Sequence, residues 1–148
     1  MRLPRKNLLD LNVLVALIDD EHVYHRIARR WFDARMSEEW GLCPLTEAGL
    51  VRLTTNPALG PMLRTFAETK VLLDEIAMWP GYRYWPITES WATLTAPFAA
   101  RIFGYQQVTD AYLLGLAIKE DGVLVTFDKG IRFMAGAEFS RNLLILNA

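Results

Sequence analysis

Four carboxylates sit in apolar company. Asp10 follows Leu8-Leu9 and precedes Leu11, and Glu47 follows Cys43-Pro44-Leu45-Thr46. Asp110 lies within Val108-Thr109-Asp110-Ala111-Tyr112-Leu113-Leu114, and Asp128 closes Val123-Leu124-Val125-Thr126-Phe127. Most other acids fall in charged patches such as Asp19-Asp20-Glu21 or Glu38-Glu39. An ionised carboxylate partly withdrawn from water needs a compensating charge or strong hydrogen bonds. Several that converge without nearby cations call for an external one, and hard divalent ions with oxygen ligands suit best. One or two Mg²⁺ or Mn²⁺ ions in such a site would lower the pKa of a bound water and stabilise a leaving oxygen. That is the chemistry of phosphodiester hydrolysis.

Each acid also has a plainer explanation. Asp and Glu favour helix starts, where they cap amides and face the positive end of the dipole, which would account for Glu47 and Asp110. Asp128, before Lys129-Gly130, would serve as a turn residue. Asp10 is harder to explain this way, because it joins an apolar strand to an apolar helix. The joint pattern favours a metal site.

The elements that must position these acids alternate. Asn7 to Leu11 reads as a buried strand with Asp10 at its end, and Asn12 to Ile18 as a helix. His22 to Met36 forms an amphipathic helix, with Val23, Ile27, Trp31 and Ala34 at helical spacing. Trp40 to Leu45 is a second strand. Thr46 is an N-cap for a helix that runs to Thr55 and is broken by Asn56-Pro57. Pro61 starts another helix, Tyr82 to Ile87 is a third strand, and Thr88 caps a helix ending near Phe98 or Ile102. Phe103 to Gln107 is a loop, Ala111 to Ile118 a buried helix, Val123 to Phe127 a fourth strand and Leu143 to Leu146 a fifth. Short apolar strands separated by helices predict an α/β protein of three α/β/α layers around a mostly parallel sheet of about five strands. Ligands bind outside the carboxyl ends of such strands. Asp10 and Asp128 fall at strand ends, and Glu47 and Asp110 at the helix starts beside them.

Bulk properties narrow the class. The chain has 148 residues, for which one domain spanning 1–148 is expected. Fifty-two per cent apolar residues, with seven Phe and five Trp, suffice for a sizeable core. No run of about 18 uncharged apolar residues predicts a transmembrane helix. The basic start is followed by an apolar run that Asp10 breaks, without a cleavage site, so a cytoplasmic protein is expected. The single cysteine, Cys43, excludes an internal disulfide and a Cys-rich zinc site and reads as a buried thiol. A net charge of −1 argues against a chain that binds nucleic acid by overall charge. A local basic rim of Arg52, Lys129, Arg132 and Arg141 is compatible with it.

Leu8-Leu9-Asp10-Leu11-Asn12-Val13-Leu14-Val15-Ala16-Leu17 resembles the opening strand and helix of PIN-domain ribonucleases, specifically the VapC toxins of bacterial toxin–antitoxin pairs. His22 through Phe32 is similar to their second helix. Thr46-Glu47-Ala48-Gly49-Leu50-Val51-Arg52 through Pro57 resembles their glutamate motif, Val108 to Leu113 their third-acid helix, and Leu124 to Gly130 their fourth-acid strand. The likeness covers essentially the whole chain, and five motifs in order are specific where no single one is. The resemblance implies a Mg²⁺ or Mn²⁺ site held by Asp10, Glu47, Asp110 and Asp128. It also implies cleavage of single-stranded or loop RNA to 5′-phosphate and 3′-hydroxyl ends, homodimerisation, and neutralisation by a cognate VapB-type antitoxin. Asn12 would orient a metal-bound water, Thr126 would contact that water or phosphate, and Arg52 and Lys129 would contact RNA.

Three rivals fit less well. A haloacid-dehalogenase-like phosphatase usually carries a second acid two residues after the first, where this chain has Asn12. A receiver domain needs an early acidic pair, and none precedes Asp10. A non-catalytic PIN-like RNA-binding scaffold would not need the complete acid set. His22 and His25 are spaced for a metal pair but lack a third ligand. Trp31 and Phe32 read as core. Trp79, Trp85 and Trp91 read as core or dimer packing before base-stacking platforms.

Overall fold

Leu8 and Leu9 sit next to each other in one strand, and their side chains feed two different cores. In the computed structural model, which describes residues 5–147, Leu9 joins Val123 and Val125 in one buried cluster and Leu8 joins Leu124 in another. This is the alternation of a strand buried on both faces. The strands are β1 (Lys6–Leu9), β2 (Glu39–Gly41), β3 (Val123–Thr126) and β4 (Leu143–Ile145), all parallel, in the order β2-β1-β3-β4. Helices cover both faces. On one side α1 (Leu11–Ile18), α2 (His25–Asp33) and part of α3 (Pro44–Thr54) and α4 (Phe66–Ile76) pack on Leu9, Trp40 and Val125. On the other side α6 (Val108–Lys119) and α7 (Ile131–Ala135), with Leu8 and Leu124, enclose Phe98, and the short α5 (Trp91–Thr95) packs on α6. The three-layer α/β/α arrangement thus forms as the alternation of elements predicts. Among the described residues no helix is long and apolar enough to cross a membrane.

The sheet has four strands, not about five. The expected strand Tyr82 to Ile87 lies along the free edge of β2 but makes only one bridge, between Trp40 and Tyr82. The Trp40 amide donates to the Gly81 carbonyl at 3.1 Å, and the Arg83 and Trp85 amides donate to the Trp40 and Leu42 carbonyls at 2.8 and 2.9 Å. Pro86 has no amide with which to extend the ladder. Gly41 makes the approach possible, since a Cβ there would stand 1.7 Å from the Arg83 carbonyl oxygen. An aromatic group of Phe32, Trp40, Trp79 and Tyr82, with ring centroids 5.1 to 5.9 Å apart, closes this edge.

Several helix boundaries also differ from the sequence reading. Helix α2 begins at His25 and ends at Asp33, leaving His22 and Met36 outside. Thr46 does not cap α3. Cys43 holds that position, Pro44 takes the first turn, and the Thr46 hydroxyl donates to the Leu9 carbonyl at 3.2 Å. Pro61 lies in a 3-10 turn (Pro57–Met62), and α4 starts at Phe66 with a capping box between Thr65 and Glu68. Ser90, not Thr88, caps α5, which is followed by a 3-10 turn that ends at Arg101. The Phe103 to Gln107 loop contains one 3-10 turn, Tyr105–Gln107.

Candidate active site

The strand register sets the site. Leu9 pairs with Val125, so the next residues, Asp10 and Thr126, stand side by side at the carboxyl end of the sheet. Asp10 caps α1. Its Oδ1 accepts from the Leu11 amide at 2.7 Å, and its Oδ2 accepts from the Thr126 hydroxyl at 2.8 Å. That hydroxyl in turn accepts from the Asn12 side-chain amide at 3.3 Å and from the Asp128 backbone amide at 3.0 Å. Thr126 is fully buried, so one hydroxyl joins the first and fourth acids of the sequence. The Asn12 carbonyl oxygen accepts from the Phe127 amide at 3.2 Å, which ties the start of α1 to the turn after β3. Asp128 Oδ1 accepts from the Gly130 amide at 2.8 Å, as a turn aspartate does.

Helix α6 runs back beneath the sheet to the start of β3. Its first turn, with Asp110, therefore lies at the same carboxyl end. Burial pushes the Asp110 carboxyl up to about 7, and the charges of Asp10 and Asp128 push in the same direction. Burial also raises Asp10. The bonds from Thr126 and Leu11 oppose that rise, and Asp128 adds to it. Three aspartates thus share one field, and among the described residues none of them is in a salt bridge. Asp110 and Asp128 line a cleft whose wall includes Gln106, Gln107 and Gly130.

Glu47 is positioned differently. It occupies the first turn of α3, which the Thr46 hydroxyl holds against the end of β1. Burial raises its pKa. Its charge is felt by the edge tyrosines. Burial first and Glu47 second push the Tyr82 hydroxyl up to about 12, and the same two causes raise Tyr84. Among the described residues, no three Asp, Glu, His or Cys side chains close around a common point. The donor set still fits a hard divalent cation. It offers only carboxylate oxygens, and the mutual repulsion that adds to the rise of Asp110 would be relieved by positive charge.

The remaining candidates separate. Arg52, in the last turn of α3, and Lys129 and Arg132, beside Asp128, are exposed. Arg141 lies at the opposite end of the sheet, just before β4, where it pairs with Asp121 at 3.7 Å, so it does not belong to a rim at the site. His25 is held by the Ala16 carbonyl at 2.7 Å, and His22 accepts from the Tyr24 amide, so both have structural partners. Cys43 and Trp85 are buried, Trp79 belongs to the edge aromatic group, and Trp91 donates to the Val108 carbonyl at 3.1 Å.

Two parts of the site escape sequence reasoning. One is Gln107, whose side-chain oxygen accepts from the Phe103 and Gly104 amides at 2.6 and 3.2 Å and shapes the approach to α6. The other is the tyrosine pair near Glu47. The only signal was position: Gln106-Gln107 directly precede the Asp110 helix, and Tyr82 and Tyr84 alternate along the edge stretch.

The family model for the PIN domain matches residues 8–137. Ribonuclease VapC38 of Mycobacterium tuberculosis (strain ATCC 25618 / H37Rv) is 42% identical over 128 residues, which cover 86% of this chain and 89% of that protein. A crystal structure of VapBC2 from Rickettsia felis, bound to a DNA fragment from their promoter, superposes with a TM-score of 0.65 at 12% identity, covering 96% of this chain and 99% of that one. The crystal structure of FitAcB from Neisseria gonorrhoeae superposes with a TM-score of 0.60 at 20% identity, covering 95% and 96%.

Proposed function

The chain belongs to the PIN-domain family, with ribonucleases of the VapC type as its relatives, and from that premise we propose that it is a metal-dependent endoribonuclease toxin neutralised by a cognate VapB-type antitoxin. The observation that carries the reading is the single buried hydroxyl of Thr126, bonded to both Asp10 and the Asp128 backbone, with Asp110 raised to about 7 by burial first and by the two charges beside it second. Asp10, Asp110 and Asp128 would hold Mg²⁺ or Mn²⁺, with Glu47 completing the set from α3. A bound ion would supply positive charge against phosphate oxygens and ease deprotonation of water. The protein's own residues do the positioning. Thr126 and Leu11 fix both oxygens of Asp10, Asn12 locks the turn that presents Asp128, and the first turn of α6 brings in Asp110. Arg52 and Lys129, both exposed, would contact the RNA backbone. The substrate is single-stranded or loop RNA in the cytoplasm, cut to 5′-phosphate and 3′-hydroxyl ends by a homodimer made of single PIN domains.

The test is cleavage of an unstructured RNA by homogeneous protein with Mg²⁺ or Mn²⁺, with excess EDTA, and by Asp10→Asn. Cleavage should require the metal and vanish in the variant. Undiminished cleavage in EDTA would overturn the mechanism.

A further inference from the structure

Two segments wall the acidic cleft, and both continue beyond it as exposed aromatic surface. Gln106, Gln107 and Asp110 line one side, and Asp128, Ile131 and Met134 the other. The first segment also carries Phe103 and Tyr105, which are 71% and 85% exposed, and the second carries Phe133, which is 63% exposed. The Phe103 and Phe133 rings meet across the two segments, with centroids 5.6 Å apart and planes inclined by 41°. Large rings left this open in a chain whose tryptophans are all at least half buried need an explanation.

The scaffold under these rings is rigid. The Arg101 guanidinium donates to the Met134 and Ala135 carbonyls at 2.8 and 3.1 Å, which staples the segment before Phe103 to the end of α7. Gln107 holds the Phe103 and Gly104 amides, and the Gln107 amide donates to the Gly104 carbonyl at 3.0 Å. Lys129 and Arg132 are exposed on the second segment, and among the described residues neither is in a salt bridge. Aromatic faces beside unpaired cations form the pattern that holds single-stranded nucleic acid, with bases on the rings and phosphates on the charges.

We propose that Phe103, Tyr105 and Phe133 form a stacking platform for unpaired bases next to the scissile phosphate, with Lys129 and Arg132 contacting the adjoining backbone. The platform rests on the ribonuclease reading and deepens it, because a duplex has no free base faces to offer such a surface. It selects unpaired RNA by stacking rather than by base-edge recognition.

The test is binding of a fluorescein-labelled oligoadenylate to the Asp10→Asn protein, measured by fluorescence anisotropy, with an abasic unit substituted at each position in turn. At one or two positions the abasic unit should weaken binding about tenfold, the size of one lost stack. The Phe103→Ala/Tyr105→Ala/Phe133→Ala variant should lose this discrimination, Tyr105→Ala alone should reduce it, and Tyr105→Trp should keep it. Full discrimination retained by the triple variant would overturn the platform. So would a triple variant that turns from dimer to monomer in sedimentation with its discrimination unchanged, because the rings would then be a contact between copies. If the wild-type chain cleaves no RNA with metal present yet the abasic pattern appears and depends on the rings, the ribonuclease reading fails and the platform stands.

Discussion

A threonine hydroxyl has one proton to donate and two lone pairs to accept with, and Thr126 uses all three: on Asp10, on Asn12 and on the Asp128 amide. Removing it leaves three polar groups short of a partner at a buried position. Thr126→Val keeps the shape and removes the bonds. It should destabilise the protein by about 2 kcal/mol, in the range of a lost hydrogen bond to a charged partner. Because Asp10 is then no longer held in place, RNA cleavage should fall about a hundredfold. Thr126→Ser should retain most of both. Denaturant midpoints and single-turnover rates on one RNA would measure the two effects, and a valine variant that cleaves like wild type would remove Thr126 from the site. The family resemblance gives Asn12 the part of orienting a metal-bound water. In the fold it bonds the Phe127 amide and Thr126, so it fixes the turn that carries Asp128.

The edge of the sheet shows how one residue decides whether two elements can meet. Tyr82 to Trp85 lies on β2 only because Gly41 has no side chain to strike the Arg83 carbonyl. Gly41→Ala should push the stretch off the edge and open the aromatic group around Trp40. The expected cost is about 2–3 kcal/mol, typical of an overpacked interior site. Urea denaturation followed by tryptophan fluorescence reads it directly. A change under about 0.5 kcal/mol would mean that the edge stretch contributes little to the fold. The same displacement would move Tyr82 and Tyr84 away from Glu47, whose charge they now share. Among the other close approaches, Gly115 against the Leu94 carbonyl and Gly122 against the Lys6 carbonyl set how α6 packs on α5 and how β3 enters the sheet.

For the whole molecule, the raised Asp110 has a consequence for stability. A carboxyl near 3.8 when unfolded and near 7 when folded binds its proton more tightly in the folded state. The folded state therefore holds the extra proton between those values, and the metal-free protein loses stability as pH rises from about 4 to about 7. The effect is only partly realised, since solvent screens a half-buried group. Thermal melts in EDTA at pH 5 and pH 7.5 should show the lower melting temperature at the higher pH. Asp110→Asn should flatten the difference and stabilise the apo protein by about 1 kcal/mol at pH 7.5. Mg²⁺ should raise the wild-type melting temperature most at pH 7.5. An apo protein equally stable at both pH values, with Asp110→Asn no different from wild type, would show that the carboxylates do not share a field.

What the sequence determined by itself was the alternation of apolar strands and helices, and with it the layers and the end of the sheet at which acids would gather. These are local properties: a period of two or 3.6 residues, an Asp after an apolar run, a turn at Asp128-Lys129-Gly130. Asp10, Glu47, Asp110 and Asp128 could be assigned to one rim because a parallel sheet places every strand end, and the helix starts beside those ends, on the same side. The tertiary structure decided what depends on residues distant in the chain. Only the register of β1 on β3 sets Asp10 beside Thr126, 116 positions on. Only the packing of helices on both faces of the sheet leaves Phe103, Tyr105 and Phe133 outside while the tryptophans are drawn in. Only the fold shows that Tyr82 to Ile87, with strand composition, comes close to β2 at Gly41 and pairs with it at a single bridge. Propensity and period act over a few residues, whereas register, close approach and exposure are set by side chains that meet only after the chain has folded.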